Sequence, residues 1–191
     1  MIRREHLFFL LSLFVWISFA DRQAKKEVIF NTIECMIRSK ILSKLNCRLE
    51  TRMALSVAAT VNHIKAVDKL EAVFDAKLIP NGQKPIPIKN IKVDYCHLKK
   101  YITNRSVMAT YYKAFRRAAV NFPNKCPFLK NTTYLLKRLH FEWQETPQYL
   151  PESNITLSGK IYANNELGFE VKLTGGFYEI KNYSLYTQPL P

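Results

Sequence analysis

The stretch Asn154–Gly175 reads NITLSGKIYANNELGFEVKLTG. Ile155, Leu157, Ile161 and Ala163 fall on alternate positions. Leu167, Phe169, Val171 and Leu173 do the same after the turn-like NNELG. An extended chain turns successive side chains to opposite faces, so each apolar set defines one buried face of a strand. Two such runs joined by a short polar loop predict an antiparallel hairpin.

The same alternation recurs upstream. In VIFNTIECMI, Ile29, Ile33, Cys35 and Ile37 share a face. The run CRLETRMALSVAATV reads as one strand with Cys47, Leu49, Met53, Leu55, Val57 and Val61 inward. DKLEAVFDAKL sets Leu70, Ala72, Phe74, Ala76 and Leu78 against Lys69, Glu71, Asp75 and Lys77. IKVDY groups Ile91, Val93 and Tyr95, and YLLKRLHFEW groups Leu135, Leu139, Phe141 and Trp143. PNGQKP supplies the turn between the third and fourth runs, with Gly82 as its permissive residue. Seven or more strands of this kind predict an all-β antiparallel β-sandwich.

One segment changes period. In NRSVMATYYKAFRRAAVN, around 104–121, Val107, Tyr111, Phe115 and Ala118 fall near one helical stripe, with Met108 and Tyr112 beside it. Asn104 or Ser106 is a candidate cap at its start, and Asn121 and Pro123 end it. A single amphipathic helical insert therefore interrupts the β chain between Cys96 and Cys126.

The N-terminus, MIRREHLFFLLSLFVWISFA, has a basic start, an apolar run from Leu7 to Phe19 and small residues Ser18 and Ala20. That is the pattern of a signal peptide over residues 1–20, leaving 21–191 as a single sandwich domain. No later run is apolar enough to span a bilayer, so the expected product is secreted and extracellular. Four cysteines, Cys35, Cys47, Cys96 and Cys126, then suggest two disulfides. Three connectivities are open. Cys96 with Cys126 would tie off the helical insert, and Cys35 with Cys47 would form an in-hairpin bridge. Sequons at Asn104, Asn131, Asn154 and Asn182 are candidate glycosylation sites.

Twenty-nine Lys and Arg stand against 15 Asp and Glu, a net charge of +14. In an exported chain this excess points away from nucleic acid and toward solubility, anionic lipid or polyanionic glycans. The cysteines lack metal-ligand spacing, so no metal and no cofactor is implied. There is no G-x-S-x-G, H-E-x-x-H or P-loop. His63, His97 and His140 read as surface residues, and Asp94 as an acceptor for turn amides beside Cys96. The chain reads as a non-enzyme.

Two motifs, K-P-x-x-x-x-N-I-x-V-D-x-C over Lys84–Cys96 and N-x-P-x-x-C-P over Asn121–Pro127, go further. With Glu34-Cys35, Cys47 and YLPESNITLSGKIY, they resemble an insect family of secreted proteins of unknown function that includes the CheB chemosensory proteins. The resemblance runs from about Val28 to Tyr178. That family looks related to the ML lipid-recognition fold, which implies an immunoglobulin-like β-sandwich with an apolar ligand cavity between its two sheets. ML relatives carry a much shorter hairpin than the insert here, so the helix could cover the cavity mouth.

Under this reading a lipid or other apolar small molecule, such as a pheromone or hydrocarbon, would meet Phe74, Val93, Tyr95, Tyr111, Phe115, Leu139, Phe141, Ile161 and Phe169. Ala59, Ala72, Ala76 and Ala163 would leave room for it. The alternative is a monomeric interaction protein with a packed core, binding a membrane receptor, a glycan or an anionic surface through its basic residues.

Overall fold

The computed structural model describes residues 25–80, 82–101, 107–146 and 150–179. The segment expected to be a signal peptide and the sequons at Asn104 and Asn182 lie outside these residues. The strands are β1 (Lys26–Ile37), β2 (Leu42–Thr51), β3 (Ala54–Val61), β4 (Leu70–Pro80), β5 (Ile86–Asp94), β6 (Thr133–Leu139), β7 (Ser153–Ala163) and β8 (Glu166–Glu179). A short 3-10 turn covers Tyr95–Tyr101, and helix α1 covers Val107–Ala118. One antiparallel sheet has the order β1-β8-β7-β4-β5, and a second the order β2-β3-β6. The expected sandwich with a helical insert is what forms.

The β7–β8 hairpin closes on Ala163 and Glu166 through Asn164 and Asn165, both at positive φ (51° and 67°). Two consecutive left-handed residues give the turn whose twist matches that of its strands. The Asn164 side chain accepts from the amides of Asp68 and Lys69 (2.9 and 3.2 Å) and donates to Ala66 O (2.9 Å). The hairpin tip is thereby fastened to the entry of β4.

Several details depart from strict alternation. The run Cys47–Val61 is two strands, because the chain reverses at Arg52–Met53. Neither Gly nor Pro marks that turn. Leu49 still faces Leu55, and Cys47 still faces Val57, but Met53, expected inward, falls in the turn and is 41% exposed. In β1 a register shift lies between Phe30 and Thr32. It puts Phe30, not only Ile29, in the interior, and Phe30 packs with Leu55 and Leu139. In β6 a second shift accompanies Arg138 at φ 53°. Tyr134 and Leu139 are buried while Leu135 is exposed, so Leu135 and Leu139 do not share a face. An extra residue in one strand flips every side chain beyond it, which period counting misses.

Helix α1 buries Ala109, Thr110, Ala114, Phe115 and Ala118, while Val107 is 54% exposed. The buried stripe is therefore rotated from the expected one. Small residues let the helix backbone approach the sheets, and Phe115 alone projects deeply. Ala114 and Ala118 pack with Phe30, Leu55 and Leu139, while Phe115 packs with Ala72, Val93, Leu98 and Ile161. The helix thus closes one flank of the sandwich. Beyond it, the Asn121 side chain donates to Thr133 O (2.6 Å) and accepts from the Leu135 amide (3.0 Å). These bonds occupy part of the β6 edge.

Cys35 is bonded to Cys47, and Cys96 to Cys126. The first is not an in-hairpin bridge. Cys35 lies on β1 and Cys47 on β2, which belong to different sheets, so the bond staples the two layers together. The second joins the 3-10 turn to the loop before β6 and closes off the insert. The Cys126–Pro127 peptide bond is cis.

Candidate functional site: an apolar cavity between the sheets

The two ends of the sandwich are filled differently. At the end where β3 begins and β6 ends, Phe30, Leu55 and Leu139 pack directly, with Phe141 against them. At the other end, where β3 and β7 finish and β2, β4, β6 and β8 begin, the sheets leave a cavity of about 100 Å³. Leu70, Ile161, Ala163, Gly168 and Phe169 line it from the larger sheet. Leu42, Val57, Ala59, Val61, Tyr134 and Leu136 line it from the smaller. Val67, Tyr95, Phe115, Phe122 and Phe128 complete the wall from the helix and connections. The void exists because Ala59, Ala163 and Gly168 place little or no side chain where the facing sheet has none to spare.

An aromatic chain forms one wall. Phe115 meets Phe122 edge-on at 5.0 Å, and Phe122 meets Phe128 at 5.7 Å and Tyr134 at 5.6 Å. Phe128 and Tyr134 close the group at 4.9 Å. Edge-to-face pairs at these separations add to simple burial. The Tyr134 hydroxyl accepts from the Leu129 amide (2.7 Å), and Val67 and Phe128 exchange both backbone bonds (2.8 Å each). The Cys96–Cys126 bond fixes the loop carrying Phe122 and Phe128 to the turn that follows Tyr95. Asp94 steadies that turn as expected, accepting from the Cys96 amide (2.9 Å) and pairing with His97 (2.7 Å).

Beside the cavity, the Tyr95 and Tyr111 hydroxyls bond to each other at 2.8 Å. Burial pushes the Tyr95 phenol up to about 12, against the lowering effect of its bond to Tyr111. Burial, with Tyr95 beside it, holds Tyr111 well above its ordinary value of 10. Both remain neutral at physiological pH. Among the described residues, no lysine, arginine or acid lines the cavity.

Of the residues expected to meet a ligand, Tyr95, Phe115, Ile161 and Phe169 line this cavity. The structure does not bring Phe74, Val93, Tyr111, Leu139 and Phe141 to it. Val93 is buried in the cluster around Phe115, with Phe74 and Tyr111 packed against that cluster. Phe74 lies across Gly159, where an added Cβ would come within 2.5 Å of its ring. Leu139 and Phe141 belong to the solidly packed end. Among the small residues, Ala59 and Ala163 line the cavity, whereas Ala72 is fully enclosed by packed neighbours. Sequence reading missed Val67, Phe122, Phe128 and Tyr134. The first three sit in connections with no periodicity. The available signal was the pair of phenylalanines flanking Cys126 in NFPNKCPF.

The arrangement defines a β-sandwich with an apolar interior site. A family described as "Protein of unknown function (DUF1091)" matches residues 70–157, from the start of β4 into β7 and including Cys96, α1 and Cys126. No curated protein matches the chain. Among the described residues, no helix is long and apolar enough to cross a membrane.

Proposed function

We propose that this protein is a secreted, non-enzymatic binding protein for a lipid or other apolar small molecule held between its sheets. The observation that carries the proposal is the apolar cavity, built by small residues at one end of a sandwich whose other end is solidly packed. An apolar cavity of roughly 150 Å³ in another protein stays dry and takes up benzene. A void of about 100 Å³ is therefore suited to a compact apolar molecule or the end segment of a longer chain. The leader-like N-terminus and two disulfides support an oxidising, extracellular setting. A pheromone or cuticular hydrocarbon is the ligand type suggested by the resemblance to chemosensory proteins.

The test is organic extraction of protein from a eukaryotic secretory host, with mass spectrometry against a secreted β-sandwich control. A stoichiometric, enriched apolar molecule is the expected result. A clean extract, together with no saturable uptake of a fluorescent lipid, would refute the proposal.

A further inference from the structure

One hydrogen-bond donor at the cavity wall is left over. The Tyr95 and Tyr111 hydroxyls bond to each other at 2.8 Å. A phenol brings one proton to donate and lone pairs to accept with. Two hydroxyls therefore bring two protons, and the bond between them uses one. Among the described residues, neither hydroxyl has a further hydrogen-bond partner. The rings keep some accessible surface, but both hydroxyls lie deep in the fold, where burial raises both phenols. A donor left unmet at that depth is destabilising, and a phenylalanine there would avoid the loss.

Position decides what meets the spare proton. Tyr95 follows β5 directly and lines the cavity, whereas Tyr111 stands on α1 and does not. Phe115, another lining residue, packs 5.4 Å from the Tyr95 ring and 6.1 Å from the Tyr111 ring. When Tyr111 donates to Tyr95, the spare proton sits on the cavity-lining ring. That ring is held in place, because the next residue, Cys96, is bonded to Cys126 and donates its amide to Asp94. The other hydroxyl on the lining, that of Tyr134, is turned to the Leu129 amide.

We infer that the cavity selects a neutral, oxygen-bearing apolar ligand, such as an alcohol, ketone, aldehyde or ester, whose oxygen accepts the spare Tyr95 proton. A pure hydrocarbon leaves that proton unmet. A carboxylate would lose its hydration against a wall of hydrocarbon and aromatic side chains, and a neutral oxygen loses far less. The inference rests on the proposed carriage of an apolar molecule and narrows the class of molecule carried.

The test uses delipidated, secreted full-length protein and two probes of one ring size, cyclopentane and cyclopentanone, with uptake read by headspace gas chromatography. Affinities are compared between proteins for one probe at a time, so each probe's own hydration cancels. Tyr95→Phe should weaken cyclopentanone roughly three- to tenfold, the worth of one neutral hydrogen bond. It should leave cyclopentane unchanged, which also shows that the variant keeps its fold. Tyr111→Phe should retain the full cyclopentanone affinity, since Tyr95 keeps its proton. In the wild-type protein, the infrared carbonyl stretch of bound cyclopentanone should fall below its frequency in a hydrocarbon solvent.

A bound carbonyl at the hydrocarbon-solvent frequency would overturn the inference. Equal cyclopentanone affinity in the wild type and Tyr95→Phe would do the same, leaving the proton to a buried water. So would equal losses for cyclopentanone in Tyr95→Phe and Tyr111→Phe, which would make the hydroxyl pair a packing contact. These three results leave carriage of an apolar molecule standing. No uptake of either probe or of a fluorescent lipid by the wild-type protein would refute carriage itself, and this inference with it.

Discussion

Ala163→Leu should stabilise this protein, although enlarging a buried residue ordinarily does the opposite. Ala163 is 4% exposed and lines the cavity, so the added side chain enters empty space. Three carbons buried at about 0.8 kcal/mol each give about 2.4 kcal/mol. Fixing the leucine rotamer costs roughly 0.5–1 kcal/mol. The net gain is about 1.5 kcal/mol, or a Tm rise of roughly 3–6 °C for a chain of this size. The control is Ala118→Leu, 2% exposed and packed against Phe30, Leu55 and Leu139. That change overfills a closed core and should cost roughly 1–3 kcal/mol.

Urea unfolding of delipidated protein reads both substitutions, and saturable uptake of a fluorescent lipid reads the cavity. Ala163→Leu should gain stability and lose uptake. If Ala163→Leu destabilised as much as Ala118→Leu, the two ends would be equally packed, and the reasoning from small residues to a void would be wrong.

Other consequences are as direct. Loss of the Cys35–Cys47 bond by paired Ser substitution should cost about 3 kcal/mol, and loss of Cys96–Cys126 about 3.5 kcal/mol, because the second closes the longer loop. Denaturant midpoints would show this, and the Cys96/Cys126 variant should also lose lipid uptake as the Phe122–Phe128 wall loosens. Phe115→Ala should cost roughly 3–5 kcal/mol by the same measurement, since this 3% exposed ring supports both the cavity wall and the helix. Stability should fall as pH rises from 10 toward 12. Over that range the unfolded chain releases its tyrosine protons while the buried pair keeps them, so the unfolded state binds fewer protons. Comparing unfolding at pH 8 and pH 11 with the Tyr95→Phe, Tyr111→Phe protein isolates this contribution. An identical pH dependence in that variant would exclude it.

Much of the fold is legible in residue order. The alternation in β4, β7 and β8, the change of period at α1 and the Asn-Asn turn all act over a few residues, so local patterning announces them. The interruptions are less visible. The reversal at Arg52–Met53 carries no turn residue, and the shifts near Phe30 and Arg138 depend on how strands pair. For the site, Tyr95, Phe115, Ile161 and Phe169 were recoverable as large inward residues on regular elements. Phe122, Phe128 and Val67 were not, because connections have no period from which to infer a facing direction.

The sequence by itself determined two antiparallel layers, one helix between two cysteines and a strongly basic chain, because backbone periodicity and charge are properties of residue order. Tertiary structure decided that Cys35–Cys47 joins the sheets and that Phe30 joins Ile29 in the core. It also decided that Ala59, Ala163 and Gly168 converge at one end while Leu55 and Leu139 meet at the other. A void is a shortfall of volume among residues distant in sequence, and only their packing shows where the shortfall lies.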